Sequence, residues 1–190
     1  MQTEITKEEL QSFPIQRFGG KIHLIDDITQ VEQAIDSLRR FDILGFDTET
    51  KPSFKRGVVH KVALLQLASE DEAWIFRLNK LGFPQSLVDF LNENHRKIIG
   101  IAVHDDVKDL KKLNASYHPT QMVDLNKMAT QLGYESIGAK KLSALVLGFT
   151  ISKGEQTSNW EAKELSNGQL SYAATDAWIC TLIYKKWMNL

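Results

Sequence analysis

The 190-residue sequence has little cysteine and proline and no long apolar run. Cys180 is the only cysteine, which excludes an internal disulfide and a cysteine-based zinc cluster. Its neighbours Ile179, Leu182 and Ile183 indicate a buried core thiol. No apolar run approaches the ~18 residues that a membrane-spanning helix needs, and the polar, acidic N-terminus does not resemble a secretory signal. We therefore expect a cytoplasmic protein with neither a membrane nor a disulfide partner.

The sequence also lacks an excess of basic residues. It has 23 Lys and Arg against 24 Asp and Glu, and a formal net charge of −1. Proteins that bind long stretches of phosphates usually carry a basic excess, because counterion release drives that binding. The composition therefore argues against a nonspecific nucleic-acid coat protein. It is compatible with an enzyme that holds a few terminal nucleotides and places carboxylates beside them.

Apolar and polar segments alternate along the chain in the manner of one α/β domain. We predict an N-terminal extension at 1–20 and a domain at 21–190, with a mixed β-sheet flanked by helices. The apolar run at 62–67 is typical of a central strand, and short connections predict antiparallel neighbours. Strands are predicted at 21–25, 43–48, 62–68, 73–76 and 97–103. Helices are predicted at 6–13, 29–40, 84–92, 105–113, 124–132 and 139–147, and from a capping box of Ser166 and Gln169 to 188.

Asp47 and Glu49 end a predicted strand, and side chains two residues apart on a strand point to the same face. Two converging carboxylates repel each other unless a cation lies between them, and hard oxygen ligands suit Mg²⁺ or Mn²⁺. A solvated turn is the more common setting for an Asp-x-Glu pair, so the pair alone does not establish a metal site.

Tyr172 and Asp176 lie four residues apart on the last predicted helix and therefore share one face. Ala173, Ala174 and Ala177 surround them with small side chains, which leaves room for another group to approach. The alternative is a core tyrosine beside a surface aspartate, and the spacing does not distinguish the two.

Asp105, Asp106 and Asp109 form a third acidic group near a predicted helix start. The helix dipole favours acidic residues in a first turn whatever their function. His104, beside them, is better explained as a helix-start or core-edge histidine than as a metal ligand.

In combination these motifs resemble the DEDDy 3′→5′ exonucleases, the family that contains ribonuclease D and the exonuclease domain of the Werner helicase. The first motif matches at Phe46-Asp47-Thr48-Glu49, followed by Gly57 and 61–67. The third matches at Gln156, Ser158-Asn159-Trp160, Leu165-Ser166, Gln169 and Tyr172-Ala173-Ala174-Thr175-Asp176, and 141–148 resembles the helix before it. The resemblance runs from about residue 21 to the C-terminus and is strongest to a Werner-type domain without its helicase.

The middle motif departs from the family pattern. Some relatives carry an asparagine four residues before the metal-binding aspartate, and this chain has Ala102 there. Aligning 100–106 with the family places the ligand at Asp106, with Asp105 and Asp109 as the alternatives.

The resemblance implies a ribonuclease H-like exonuclease fold and two divalent metal ions, Mg²⁺ or Mn²⁺. It implies that Asp47 bridges both ions and that Glu49 and Asp176 complete the first ion's site. Asp106 would support the second ion, largely through water. Tyr172 is predicted to orient the attacking water, because a phenol with a pKa of ~10 is a poor base near neutrality. The expected partner is a nucleic acid with a free 3′ end, DNA favoured over RNA, and the expected product is a nucleoside 5′-monophosphate.

Five further residues are candidate substrate contacts. Thr48 and Thr50 flank the acidic pair and are predicted to meet the terminal nucleotide. Lys153, Gln156 and Trp160 precede the last helix, where a loop is expected to close on the strand. Trp160 is a candidate for stacking on a base, with a packing role as the alternative.

Two other functions are compatible with the sequence. One is a nucleic-acid-binding module that keeps the fold without the chemistry, which the near-neutral charge and the imperfect middle motif suggest. Retention of the acidic positions weighs against it, because a binding module has no need of clustered negative charge facing phosphates. The other is hydrolysis of short oligonucleotides or small phosphodiesters, which the modest charge tolerates.

Overall fold

The chain is built around a six-stranded sheet, described over residues 2–190 by a computed structural model. Its strands are β1 (Lys21–Ile25), β2 (Ile43–Thr50), β3 (Val62–Ala68), β4 (Glu72–Phe76), β5 (Lys97–Gly100) and β6 (Met122–Asp124). They lie in the order β1-β4-β3-β2-β5-β6. β3 pairs antiparallel with β2 and β4, and the other three pairings are parallel. The predicted mixed sheet with antiparallel neighbours is confirmed.

Helices cover both faces of this sheet, so every residue of β3 is buried. They are α1 (Lys7–Gln11), α2 (Val31–Leu38), α3 (Leu78–Leu81), α4 (Gln85–Asn92), α5 (His104–Leu113), α6 (Leu125–Gln131), α7 (Ala139–Leu142) and α8 (Asn167–Met188). Apolar residues of α2, α4 and α5 share one core with the sheet, whereas α6, α7 and α8 pack on the opposite face. Within residues 2–190 no helix combines the length and the apolar character needed to span a membrane.

The start of α8 is fixed by the predicted capping box. The Ser166 hydroxyl accepts from the Gln169 backbone N–H at 3.1 Å, and the Gln169 side-chain oxygen accepts from the Ser166 N–H at 2.9 Å. The Gln169 amide also donates to the Ser158 hydroxyl at 2.9 Å and to the Asn159 carbonyl at 3.2 Å. One side chain thus caps the helix and holds the segment before it in place.

Several elements differ from the sequence prediction, including the short helix α3, which was not predicted. The strand predicted at 97–103 ends at Gly100, because Ala102 has a φ of 57°, in the left-handed region that strands do not use. β6 was not predicted, because its three residues are too few for a recognisable alternation of polar and apolar side chains. The helix predicted at 139–147 is α7 followed by a wider π-helical turn at Ser143–Leu147.

The N-terminal extension packs along the domain. The Thr3 carbonyl accepts from the backbone N–H groups of Glu135 and Ser136, and Ile5 and Leu10 join a small apolar cluster. Further along, the Phe18 N–H donates to the Thr175 hydroxyl of α8 at 2.9 Å. The extension therefore reaches the helix that carries Tyr172, and the boundary near residue 20 stays a prediction.

Candidate active site

The first part of the site is the end of β2. Asp47 and Glu49 point to the same face of the sheet, towards α8, as expected for residues two apart on a strand. Glu49 is buried, and the β2–β3 register shifts directly after it, between Glu49 and Thr50. A local irregularity at a strand end is a common way to aim a side chain.

The second part is α8, which lies unusually close to β2. A Cβ added at Gly45 would sit 1.9 Å from the Ala177 carbonyl oxygen, so only glycine fits there. The Thr181 hydroxyl accepts from the Gly45 N–H at 2.7 Å and donates to the Ala68 carbonyl of β3 at 2.7 Å. This close approach brings Asp176 next to the acidic pair on β2.

Three carboxylates meet at this junction. One oxygen each from Asp47, Glu49 and Asp176 lies within 4.8 Å of the others. The Asp176 Oδ1 atom is buried without a hydrogen-bond partner. An orphaned carboxylate oxygen beside two other carboxylates fits a hard divalent cation, which takes oxygen ligands. The structure thus brings together three of the four predicted metal ligands.

The electrostatics of the three carboxylates reflect this crowding. Burial, followed by the charges of Asp176 and Asp106, raises the pKa of Asp47 well above its usual range. Burial and then the charge of Asp47 raise the pKa of Glu49 to about 10. The pKa of Asp176 is also raised by burial, against the opposing charge of Lys153. Without a cation, Glu49 therefore holds a proton at neutral pH.

Tyr172 lies one helical turn before Asp176 and is almost fully buried. Burial and the charges of Asp176 and Glu49 raise the pKa of its hydroxyl far above the ordinary value, so the phenol keeps its proton. Lys153 closes this side of the site, with its Nζ 3.8 Å from Asp176 Oδ2 and 6.0 Å from the centre of the Tyr172 ring.

Trp160 does not offer a surface to a base, which corrects its candidacy for stacking on the substrate. Its side chain is wholly buried and lies 5.8 Å from the Tyr172 ring, centre to centre. The physical reason lies at the start of α8. The hydrogen bonds from the Gln169 side chain to Ser158 and Asn159 fix the backbone there, so that the side chain of Trp160 points into the core. Trp160 supports Tyr172 from behind, as the packing alternative expected.

Asp106 lies at the rim of the site, in the first turn of α5. It is not one of the three clustered carboxylates, and its Oδ1 accepts a hydrogen bond from the Thr48 hydroxyl. Burial raises its pKa, and the bond from Thr48 opposes that rise. Of the two alternatives, Asp105 is exposed and Asp109 pairs with Lys112 at 2.6 Å. The structure therefore places Asp106 nearest the site of the three, and its role as a ligand stays a prediction.

The remaining predicted contacts lie on the open side. Thr50 and Gln156 are exposed, and the Gln156 N–H closes a turn onto the Lys153 carbonyl at 3.2 Å. Thr48 has a second role that the sequence did not predict, since it holds Asp106. His104 is exposed at the start of α5 and is not part of the carboxylate cluster.

Sequence reasoning missed the two residues that assemble the site. Gly45 carried a usable signal, because glycine inside an apolar strand often marks a close backbone approach. Asp124 carried none beyond its predicted capping role. Its Oδ1 accepts from the Asn126 N–H at 2.9 Å and also from the Ala102 N–H at 3.1 Å, which fixes the loop that leads into Asp106.

The chain is similar to known nucleases along most of its length. A family model described as "3′-5′ exonuclease" matches residues 22–190. A 3′-5′ exonuclease of Arabidopsis thaliana is 30% identical over 192 residues, covering 92% of this chain and 66% of that protein. The bifunctional 3′-5′ exonuclease/ATP-dependent helicase WRN of Mus musculus is 32% identical over 156 residues, covering 78% of this chain and 11% of that protein.

A solved structure shows the same fold. The crystal structure of the Aedes aegypti Nibbler EXO domain superimposes with a TM-score of 0.77 and 25% identity, covering 87% of this chain and 86% of that one. The predicted ribonuclease H-like arrangement of a mixed sheet flanked by helices is confirmed.

Proposed function

The chain belongs to the 3′-5′ exonuclease family, and from that premise we propose that it hydrolyses phosphodiester bonds from the 3′ end of a nucleic acid. The expected product is a nucleoside 5′-monophosphate. One observation carries the proposal: Asp47, Glu49 and Asp176 converge within 4.8 Å, next to the hydroxyl-bearing Tyr172. Because the chain spans 66% and 11% of the lengths of the two curated relatives described above, the activity is proposed rather than transferred from them.

The carboxylates would hold two divalent ions, Mg²⁺ or Mn²⁺. Asp47, Glu49 and Asp176 form the proposed first site, which the orphaned Asp176 Oδ1 supports. Asp47 and Asp106 form the proposed second site. Such ions supply charge stabilisation for the attacking and leaving oxygens of an in-line displacement at phosphorus.

Tyr172 is the proposed positioning group for the attacking water. Its raised pKa keeps the hydroxyl protonated, so it donates a hydrogen bond and does not accept a proton as a base. Trp160 packs against the ring and the cap at Ser166 fixes the helix, which restricts the movement of the ring that carries the hydroxyl. A rigidly held hydrogen-bond donor of this kind keeps the attacking water oriented towards the phosphorus.

Lys153 is the proposed contact to the phosphate at the cleavage point. Its ammonium group lies beside Asp176 and its side chain is partly exposed, so it can reach a bound strand. Thr48, Thr50 and Gln156 complete the proposed set of substrate contacts on the open side. The preference for DNA over RNA rests on the resemblance to the Werner-type domain, and the cytoplasmic location likewise stays a prediction from the sequence.

The test is a cleavage assay on matched 5′-labelled DNA and RNA oligonucleotides with Mg²⁺ or Mn²⁺. We expect shortening from the 3′ end, release of nucleoside 5′-monophosphates and faster cleavage of DNA. Asp47→Ala should abolish the reaction while circular dichroism shows an intact fold. Full-length substrate after incubation with either metal would refute the proposal.

The binding module without chemistry is the second candidate, and the position of Asp106 favours it. This carboxylate is engaged by Thr48 and stands apart from the other three. Calorimetric titration with Mn²⁺ separates the two candidates, since a pure binding module should take up no ion at this cluster.

A further inference from the structure

A basic groove lies on the side of α5 that faces away from the carboxylates. It is a groove of about 710 Å³ between α5, the loop 114–121 and α6, and we call it the α5–α6 groove. Five basic residues line it: His104, Lys108, Lys111, His118 and Lys127. Because they come from three separate segments, their convergence does not follow from the repeat of a single solvated helix face.

The lysines of this groove have no carboxylate partner within the part of the chain that the structure describes. Lys108, Lys111 and Lys127 form no ion pair with any residue in the described range 2–190, whereas Lys112 on the same helix pairs with Asp109. The one acidic residue in the lining is Asp124, whose Oδ1 is already bonded to two backbone N–H groups. A concave surface with uncompensated cations attracts a polyanion even when the net charge is −1.

The groove is next to the proposed cleavage centre. His104, Lys108 and Lys111 recur at helical spacing and share one face of α5. Asp106 is two residues from His104, about 200° around the helix, where it meets Thr48. Since a helix with its side chains is about 10–12 Å across, one helix separates the cations from the carboxylates.

We propose that the α5–α6 groove binds the phosphodiester backbone of the nucleic acid beyond its terminal nucleotide. The inference rests on the proposed function, since it concerns the same substrate. It explains how a protein with no overall basic excess retains an anionic strand, because the local positive charge of the groove supplies the attraction. Val107 and Met122 add apolar surface to the lining of the groove, and lysine side chains commonly lay their stems along such surface while their ammonium groups stay in water.

The test compares two triple variants with the same change of charge. The groove variant is Lys108→Gln/Lys111→Gln/Lys127→Gln. The matched control is Lys7→Gln/Lys141→Gln/Lys186→Gln, three exposed lysines outside the groove that also have no ion pair in the described chain. Binding of a labelled single strand of about 20 nucleotides is measured by fluorescence anisotropy in EDTA, over a range of salt concentrations.

We expect the groove variant to bind about 100-fold more weakly at 0.1 M salt, because each lost phosphate contact removes about 0.7 from the slope of log K against log salt for single strands. The slope should therefore fall by about 2 in the groove variant and stay unchanged in the control. Equal losses in the two triple variants, or no loss in either, would overturn the proposal.

A cleavage measurement keeps this inference separate from the proposed function. The ratio of kcat/KM for the 20-nucleotide strand to kcat/KM for a dinucleotide should fall in the groove variant alone. If the groove variant binds the strand more weakly but the wild-type protein cleaves nothing, the proposed function is wrong and the proposed role of the groove stands. If the groove variant and the control variant cleave the 20-nucleotide strand at the same rate as the wild-type protein, the proposed function stands and the proposed role of the groove is wrong.

Discussion

The two sides of the carboxylate cluster are held together by different means. On one side α8 packs so closely on β2 that the backbone at Gly45 nearly touches Ala177, and Thr181 bonds both strands. On the other side Asp106 follows a loop containing the left-handed Ala102, which a hydrogen bond from its N–H to Asp124 fixes. Close packing tolerates almost no displacement, whereas a loop held by single hydrogen bonds can adjust. We infer that Asp47, Glu49 and Asp176 form a rigid unit and that Asp106 is the adjustable member.

Among the substitutions, the largest effect on stability is expected from Gly45→Ala. The added Cβ would meet the Ala177 carbonyl at 1.9 Å and force α8 away from β2. Overpacking of this kind costs about 1–3 kcal/mol and occasionally more, and we expect about 3 kcal/mol, with loss of stabilisation by Mn²⁺. Urea unfolding with and without Mn²⁺ measures both. Gly19→Ala is the control, because a Cβ there meets nothing within 4 Å; equal losses in the two variants would contradict a rigid packed side.

The packed side should also respond to pH. The pKa of Glu49 is raised to about 10, and the pKa values of Asp47 and Asp176 are raised too, so the folded protein binds more protons than the unfolded chain. This contribution to stability is complete below about pH 4 and is lost as the pH rises towards those values, by at most about 1.4 kcal/mol per pH unit for each proton.

Thermal unfolding of the metal-free protein between about pH 5 and pH 9 measures this dependence. Saturating Mg²⁺ should flatten it, because a cation then takes the place of the protons. Glu49→Gln should reduce it in the metal-free protein. A stability that rises with pH in the absence of metal would show that the carboxylates do not interact as their positions imply.

On the adjustable side, Thr48→Val should weaken the hold on Asp106. The substitution keeps the shape of the side chain and removes its bond to the carboxylate. Loss of such a supporting contact usually costs about 10–100-fold in metal affinity or activity, and we expect about tenfold in kcat. Thr130→Val, which removes a hydroxyl bonded only within α6, should leave kcat unchanged. No difference between the two variants would place Asp106 outside the site.

The smallest effect is expected from Ala102→Gly. A residue other than glycine in the left-handed region costs about 1–2 kcal/mol, partly offset by the greater freedom of glycine in the unfolded chain. The free energy of unfolding should therefore rise by about 0.5 kcal/mol. Ala115→Gly, at an exposed position with negative φ, should lower it instead. A loss at both positions would mean that the loop is not strained.

The packed side could largely be anticipated from the sequence. Asp47 and Glu49 share a face by strand geometry, Tyr172 and Asp176 share one by helix geometry, and the capping box marks where α8 begins. These are local relations, and they hold whatever the rest of the chain does. The order of the motifs in a known family then indicated that the carboxylates of β2 and the residues of α8 belong to one site.

The adjustable side could not be derived in the same way. The bond from Thr48 to Asp106 and the bond from Ala102 to Asp124 join segments far apart in the chain, and their formation depends on how β2, β5 and β6 lie together. Burial of Trp160 also depends on long-range packing, so the same indole was compatible with a core position and with a base-stacking one. The local sequence pattern determines on which face of a strand or helix a side chain lies. Tertiary contacts determine which other residues that side chain packs against.

Because Asp176 lies on α8, the carboxylate cluster forms late in the synthesis of the protein. A ribosome adds Asp47 and Glu49 early and Asp176 more than a hundred residues later. Until α8 has emerged and packed against Gly45, the growing polypeptide lacks Tyr172 and Asp176 of the proposed hydrolytic centre. A nascent or prematurely terminated chain therefore lacks the three-carboxylate cluster, which forms only when α8 packs on the sheet.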